Sequence, residues 1–353
     1  MSFILFKDDL VAFWEAENLG FLIYLIPLQV FFLGLDYILL GWNISLKQFS
    51  RGAWGRVISI IGGKGFTLCY GLFVAPSAYG LVVGNMLISI VDSAVKMSHA
   101  VRKELAGLFS GFSWLQLKTT LWKYRSYPLL VMPGIFIVGI SQQLPLYVFS
   151  GSHDRDAVGY YALASSVIIM PLQMITTPVT TVFLQRAAEL KTTDQGQLSR
   201  LVYQLHRKLF LISFVAMTML ILFSDWIFLF VFGPEWTSAG VYGAFIAVFT
   251  TLAVSAQPLS VLFRLSNQEG HNFLINTITL ALRFALLFIA VLYGQPLLGL
   301  AAFTLISVLS STVSLIMLFK LVDIRGSRIL PYTCVVLTML MFVLWKYQEL
   351  LII

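Results

Sequence analysis

Apolar residues along this chain come in blocks of about membrane length. Ten can be read: Gly20–Leu40, Val57–Val74, Tyr79–Val95, Pro128–Phe149, Gly159–Phe183, Leu209–Phe230, Ala239–Phe263, Phe273–Tyr293, Leu297–Leu318 and Ile329–Leu344. About twenty apolar residues in a helix cross the hydrocarbon core of a bilayer. The period-2 alternation of a membrane barrel is missing from the blocks. The pattern predicts an all-α polytopic membrane protein with about ten transmembrane helices. The blocks beginning at Val57, Tyr79 and Ile329 are the shortest.

Composition agrees. The chain is 59% hydrophobic and 11% charged, with a mean hydropathy of +0.88; a soluble domain carries about a quarter charged residues. Asp8, Asp9, Glu15 and Glu17 give the first eighteen residues the wrong sign for a signal peptide. Cys69 and Cys334 lie inside apolar blocks and read as small buried residues rather than a disulfide or a metal site.

Charge fixes a direction. When the loops are assigned alternately to two sides, 18 of the 23 Lys and Arg fall on one side. Only Lys7, Arg155 and Lys346 fall on the other, while Lys64 and Arg283 lie within spans. Such asymmetry marks the cytoplasmic side, and it accounts for the net charge of +7 without nucleic acid. It also places an acidic N-terminus outside, the position expected if an odd number of helices precedes this sequence. The inward segment His99–Tyr127 mixes basic residues with Leu105, Leu108, Phe109, Phe112 and Leu115, which suggests an amphipathic stretch on the inner leaflet. The expected organisation is a partial N-terminal lobe of three helices (1–96), this cytoplasmic linker (97–127), a six-helix C-terminal lobe (128–320) and one extra helix (321–353).

The residues that could carry chemistry are polar groups inside spans. Arg283 stands near the middle of "TITLALRFALLFIAVLY", where an arginine costs about 2.5–3.5 kcal/mol on insertion scales. It is expected to face an interior cavity and meet an anion, the alternative being an internal ion pair or a cap on a helix carbonyl. Lys64 lies in "IIGGKGFTLCYG", where Gly62, Gly63 and Gly65 permit close approach of a helix or ligand. No strand precedes "GGKG", so it is not a phosphate loop. Asp36 and Asp92 fall within a turn of the basic side and read as interfacial, paired with Lys47 or Lys96. Gln29, Asn85, Gln142, Gln143, Gln173, Gln257 and Asn276 either bond across helices or line a path. Several adjoin prolines, as in "QQLP" to Pro145, Pro171 before Gln173, and Gln257–Pro258. Proline frees backbone carbonyls that are tolerated where they are buried or face water, so bent helices around a central space are expected. The histidines, His99, His153, His206 and His271, are scattered over predicted loops without metal-ligand spacing. The outward loops are too small for an extracellular active site. No enzymatic activity, metal or cofactor is expected.

Two segments carry a resemblance. "VGYYALASSVIIMPLQMITTPVTTVFLQRAAEL" (Val158–Leu190) resembles polysaccharide and O-antigen flippases in its aromatic pair after Val-Gly, its small-residue run, its mid-helix proline and its threonine-rich exit. "FGPEWTSAGVYGAFIAVFTTLAVSAQPLSVLFRLSNQEG" (Phe232–Gly270) resembles the same family's Gly-Pro-x-Trp turn and Pro-Leu-Ser helix, and "YPLL…QQLPLYVFSG" fits between them. The resemblance covers about Pro27 to Leu318. The family belongs to the multidrug, oligosaccharidyl-lipid and polysaccharide exporter superfamily, whose members have twelve or fourteen helices in two lobes around a central cavity. The resemblance implies a partial two-lobe exporter fold beginning at the family's fourth helix, N-terminally truncated relative to the family. It implies a flippase of the bacterial cytoplasmic membrane, moving undecaprenyl-pyrophosphate-linked oligosaccharide outward for O-antigen, capsule or exopolysaccharide. The implied partners are the lipid-linked oligosaccharide, membrane lipids and other polysaccharide-assembly membrane proteins. Arg283, Lys64, Gln257, Asn276, Gln142 and Gln173 are then the expected cavity residues, with Arg283 and Lys64 at equivalent positions of a six-plus-six repeat. The alternatives are a cation-coupled multidrug exporter of the same superfamily and a non-transporting truncated membrane component.

Overall fold

A computed structural model describes residues 25–45, 49–75, 77–97, 107, 113–150 and 155–352, and every regular element among them is helical. Nine of the described helices are long and apolar enough to cross a membrane. The chain divides into two compact units, Met1–Thr120 and Leu121–Ile353.

The first unit holds α1 (Leu25–Ser45), α2 (Phe49–Phe73) and α3 (Ala78–Lys96). Helix α2 is not among the nine spans, although its 25 residues rise about 37 Å. Arg51, Arg56, Lys64 and its glycines dilute the apolar content. It crosses α3 with almost no separation. A Cβ on Gly84 would lie 2.0 Å from Thr67 Oγ1 and 2.9 Å from the Gly63 carbonyl oxygen, and a Cβ on Gly63 would lie 2.6 Å from that of Gly84. Small residues at a crossing are how membrane helices gain van der Waals contact without a hydrophobic driving force. Of the glycines around Lys64, Gly63 therefore serves helix packing. Gly62 and Gly65 face open space.

Asp36 and Asp92, the described acidic residues of this unit, share a cationic partner. Lys96 Nζ lies 2.6 Å from Asp36 and 3.0 Å from Asp92, with Lys96 and Asp92 side chains 3% and 1% exposed. Of the two expected lysine partners it is Lys96 that is seen; Lys47 lies outside the described residues. Arg56 approaches Asp92 at 3.6 Å from an exposed position, and Asn43 Nδ2 donates to the carbonyls of Leu39 and Lys96, both at 2.8 Å. Burying charge is tolerated only with partners, and this cluster ties α1, α2 and α3 together.

Of the segment His99–Tyr127, residues 99–106 and 108–112 lie outside the described residues, with Leu105, Leu108, Phe109 and Phe112 among them. Its described part forms helix α4 (Trp114–Lys123), which buries no residue.

The second unit runs from a π-helical turn, Tyr127–Val131, into α5 (Met132–Ser150). Then come α6 (Arg155–Thr193), α7 (Gln195–Phe232), α8 (Ala239–Leu259), the short α9 (Val261–Leu265), α10 (Glu269–Leu292), α11 (Pro296–Lys320), α12 (Leu330–Lys346) and α13 (Gln348–Ile352). Helix α8 is the core, with nearly every side chain buried. Helix α7 approaches it closely at Gly240, where a Cβ would lie 3.0 Å from the Asp225 backbone nitrogen.

Hydropathy underestimates α6 and α7. Their 39 and 38 residues rise about 58 and 57 Å, against a hydrocarbon core of about 30 Å. Leu184–Lys208, expected as an inward loop, is instead the basic end of a helical hairpin that turns at Asp194. Ala187, Leu190, Leu198 and Val202 give it a buried face. Asp194 caps α7 by accepting from the Gln197 N–H at 2.9 Å, which holds its carboxyl below the ordinary carboxylate pKa. His206 is on α7, wholly buried, and not in a loop; its ring lies 4.7 Å from that of Tyr332 and 5.4 Å from that of Phe319. His271 sits in the first turn of α10, while His99 and His153 lie outside the described residues. Cys69 and Cys334 are free and exposed on helix faces rather than buried.

Candidate functional site

The second unit contains a cavity of about 300 Å³, walled by α5, α6, α8, α10 and α11. Five of the six residues singled out from the sequence line it: Gln142, Gln173, Gln257, Asn276 and Arg283. The sixth, Lys64, belongs to the first unit, where it is exposed and donates to Asn85 Oδ1 at 3.2 Å. The cavity wall includes two residues whose carbonyls lose their i+4 donor to proline. Pro145 takes it from Ser141 and Pro258 takes it from Val254, each one turn along its helix.

Arg283 is the centre of the arrangement. Its Nη1 donates to Ser141 Oγ at 2.6 Å, and its Cζ lies 4.6 Å from the centroid of the Phe303 ring. Its Nε is buried without a hydrogen-bond partner. Among the described residues it makes no ion pair, and no Asp or Glu is among those lining this cavity. The internal ion pair weighed above is therefore not seen. The guanidinium rests on a hydroxyl and an aromatic face, beside a void, with donor capacity to spare.

Two features of the wall were not singled out from sequence. One is Tyr161, buried on α6 with its ring 6.0 Å from that of Phe149. The other is the serine bank of α11: Ser307, Ser310, Ser311 and Ser314. Ser310 Oγ lies 2.7 Å from Thr279 Oγ1 and links the two helices. Both banks have a signal in the sequence. On α10, Asn272, Asn276, Thr279 and Arg283 recur at steps of four, three and four, one stripe of a helix. The α11 serines repeat at three, one and three on the same principle.

A second cavity, of about 220 Å³, shares Val138, Ser260, Phe263, Asn272 and Asn276 with the first. It reaches the basic end of the unit, where Arg264 and Glu269 line it with the π-helical turn. Beyond Arg283 in the other direction the stripe becomes apolar. Leu287 and Ala290 lie so close to α11 that a Cβ on Gly299 would meet them at 2.9 and 3.0 Å. Past Arg283, α10 and α11 pack directly against each other.

An all-helical, multi-pass membrane protein with a cationic, amide- and hydroxyl-lined interior is the class that fold and site define. Comparison with protein families narrows it: the model described as "Polysaccharide biosynthesis protein" matches residues 1–240. The chain belongs to that family, and is a membrane component of polysaccharide synthesis or export. Searches of curated proteins and of solved structures returned no match. Lys64, Gln142 and Gln173 fall within the matched stretch; Gln257, Asn276 and Arg283 lie beyond it.

Proposed function

We propose that the chain moves lipid-linked oligosaccharide, carried on undecaprenyl pyrophosphate, from the inner to the outer leaflet of a bacterial cytoplasmic membrane for surface-polysaccharide assembly. It acts as a transporter rather than an enzyme, without a cofactor, among the other membrane proteins of that assembly. The observation that carries this reading is the uncompensated guanidinium of Arg283 beside a void. A permanently charged fork inside a membrane domain is costly unless something anionic meets it. Pyrophosphate oxygens match its geometry. The polyprenyl chain stays in lipid, and the saccharide lies among amides and hydroxyls that replace its hydration. A cation-coupled drug exporter calls for acidic groups lining the cavity; Asp36 and Asp92 are instead neutralised by Lys96 and Arg56 in the first unit.

The test is complementation in cells that lack their own polysaccharide flippase. Arg283→Gln and Arg283→Leu are expressed at the wild-type level and surface polysaccharide is quantified. The reading expects a loss of tenfold or more, the scale of one charge-assisted contact. Undiminished polysaccharide in both variants removes it.

A further inference from the structure

The two cavities of the second unit form one passage with an uneven distribution of charge. Along α10, Glu269, Asn272, Asn276, Thr279 and Arg283 recur at steps of three, four, three and four, and all five line one cavity or the other. From Glu269 to Arg283 is fourteen residues, about 21 Å of helix. At the deep end stands a cation without a carboxylate near it. At the basic-end mouth stand a half-buried Glu269 and an exposed Arg264 that make no ion pair with each other or, among the described residues, with any other group.

The mouth is thus net neutral, with a strong acceptor and a strong donor both open to the cavity. For a pyrophosphate the repulsion of Glu269 offsets the attraction of Arg264 there, whereas no carboxylate offsets Arg283. A sugar is served by the opposite arrangement. Its hydroxyls donate to the carboxylate and accept from the guanidinium, and charge-assisted bonds of this kind are about twice as strong as neutral ones. The amide of Asn272 adds a donor and an acceptor, and its Oδ1 already accepts from Asn276 at 3.3 Å.

Building on the proposed function, we infer that Glu269, Arg264 and Asn272 form a saccharide subsite distinct from the phosphate contact at Arg283. The cargo is held with its pyrophosphate deep and its sugar toward the basic end. Glu269 acts twice, binding sugar hydroxyls and cancelling the pull of Arg264 on phosphate, and so sets the direction in which the cargo lies.

The experiment uses the full chain in detergent or nanodiscs and two probes: undecaprenyl pyrophosphate, and the same carrier bearing a neutral disaccharide. Glu269→Gln and Asn272→Ala should weaken binding of the disaccharide-bearing probe, the first about tenfold, and leave the bare carrier unchanged or tighter. Arg283→Gln should weaken both probes alike. If Glu269→Gln leaves both probes unaffected while Arg283→Gln weakens both, the saccharide subsite is overturned and the transport reading stands. If Arg283→Gln weakens neither, the transport reading itself falls. If Glu269→Gln proves unstable on heating, Asn272→Ala alone decides, since equal loss for both probes contradicts a sugar-specific contact.

Discussion

Replacing Arg283 with methionine separates a functional charge from a structural one. The substitution keeps a long, flexible side chain and removes the charge and all donors. In favour of the native residue stand a charge-assisted bond to Ser141, worth about 1.5–3 kcal/mol, and a cation–π contact with Phe303, worth about 0.5–2 kcal/mol. Against it stand an insertion cost of about 2.5–3.5 kcal/mol and a buried Nε without a partner, costing about 1–3 kcal/mol. Taken at mid-range, the opposing contributions leave the guanidinium a net burden of about 1–2 kcal/mol. Ser141 Oγ, once released, can turn to a carbonyl of its own helix. Arg283→Met should therefore be neutral or stabilising by up to about 2 kcal/mol while transport is lost. The assay is reversible unfolding of the purified chain in mixed micelles, followed by circular dichroism and set beside polysaccharide output in cells. Destabilisation by more than about 2 kcal/mol would mean that the charge has an internal partner, and the reasoning from an uncompensated cation fails.

Other expectations concern the scaffold. Gly84→Val should destabilise the first unit by about 1–3 kcal/mol or more through overpacking, because a Cβ there would lie 2.0 Å from Thr67 Oγ1; Gly62→Val, facing open space, should cost far less in the same unfolding assay. Lys96→Met leaves the buried Asp92 and the partly buried Asp36 without their shared cation, so a loss of about 3–5 kcal/mol is expected, whereas removing the exposed Arg56 should cost about 1 kcal/mol or less. Asp194 carries a pH signature. Its folded pKa is depressed below the ordinary 3.8 by the Gln197 N–H, so the cap is complete above that value and is lost as pH falls through the lower folded value. Amide exchange at Gln197 and Leu198 should rise there in the wild type, and at neutral pH in Asp194→Ala; equal exchange in both proteins at neutral pH would contradict the cap.

Much of the fold was legible because the bilayer demands it. Blocks of membrane length read directly as helices, and the position of Arg283 was anomalous enough to call for a cavity. The hairpin extension of α6 and α7 was hidden for the same reason: hydropathy marks where lipid is, and a helix that continues into water carries charges such as Arg186, Lys191 and Arg200. Only the spacing of Ala187, Leu190, Leu198 and Val202 betrays it. The amides lining the cavity stood out as polar groups in apolar blocks. Their partners did not, since Ser141 and the α11 serines are unremarkable in membrane helices until a stripe is counted. Tyr161 entered only as half of the aromatic pair after Val-Gly, and nothing in that motif marks it as a cavity residue. The burial of Lys96 between two carboxylates depends on three helices meeting, which no single stretch of sequence records.

The most direct measurement is transbilayer movement in liposomes containing the purified chain, with undecaprenyl-pyrophosphate oligosaccharide as the passenger. Wild type should move it fastest, Arg283→Lys should retain part of the rate because the charge remains while the fork is lost, and Arg283→Gln should fall tenfold or more. A rate for Arg283→Gln equal to wild type would contradict the assignment of this cation to the passenger's phosphate.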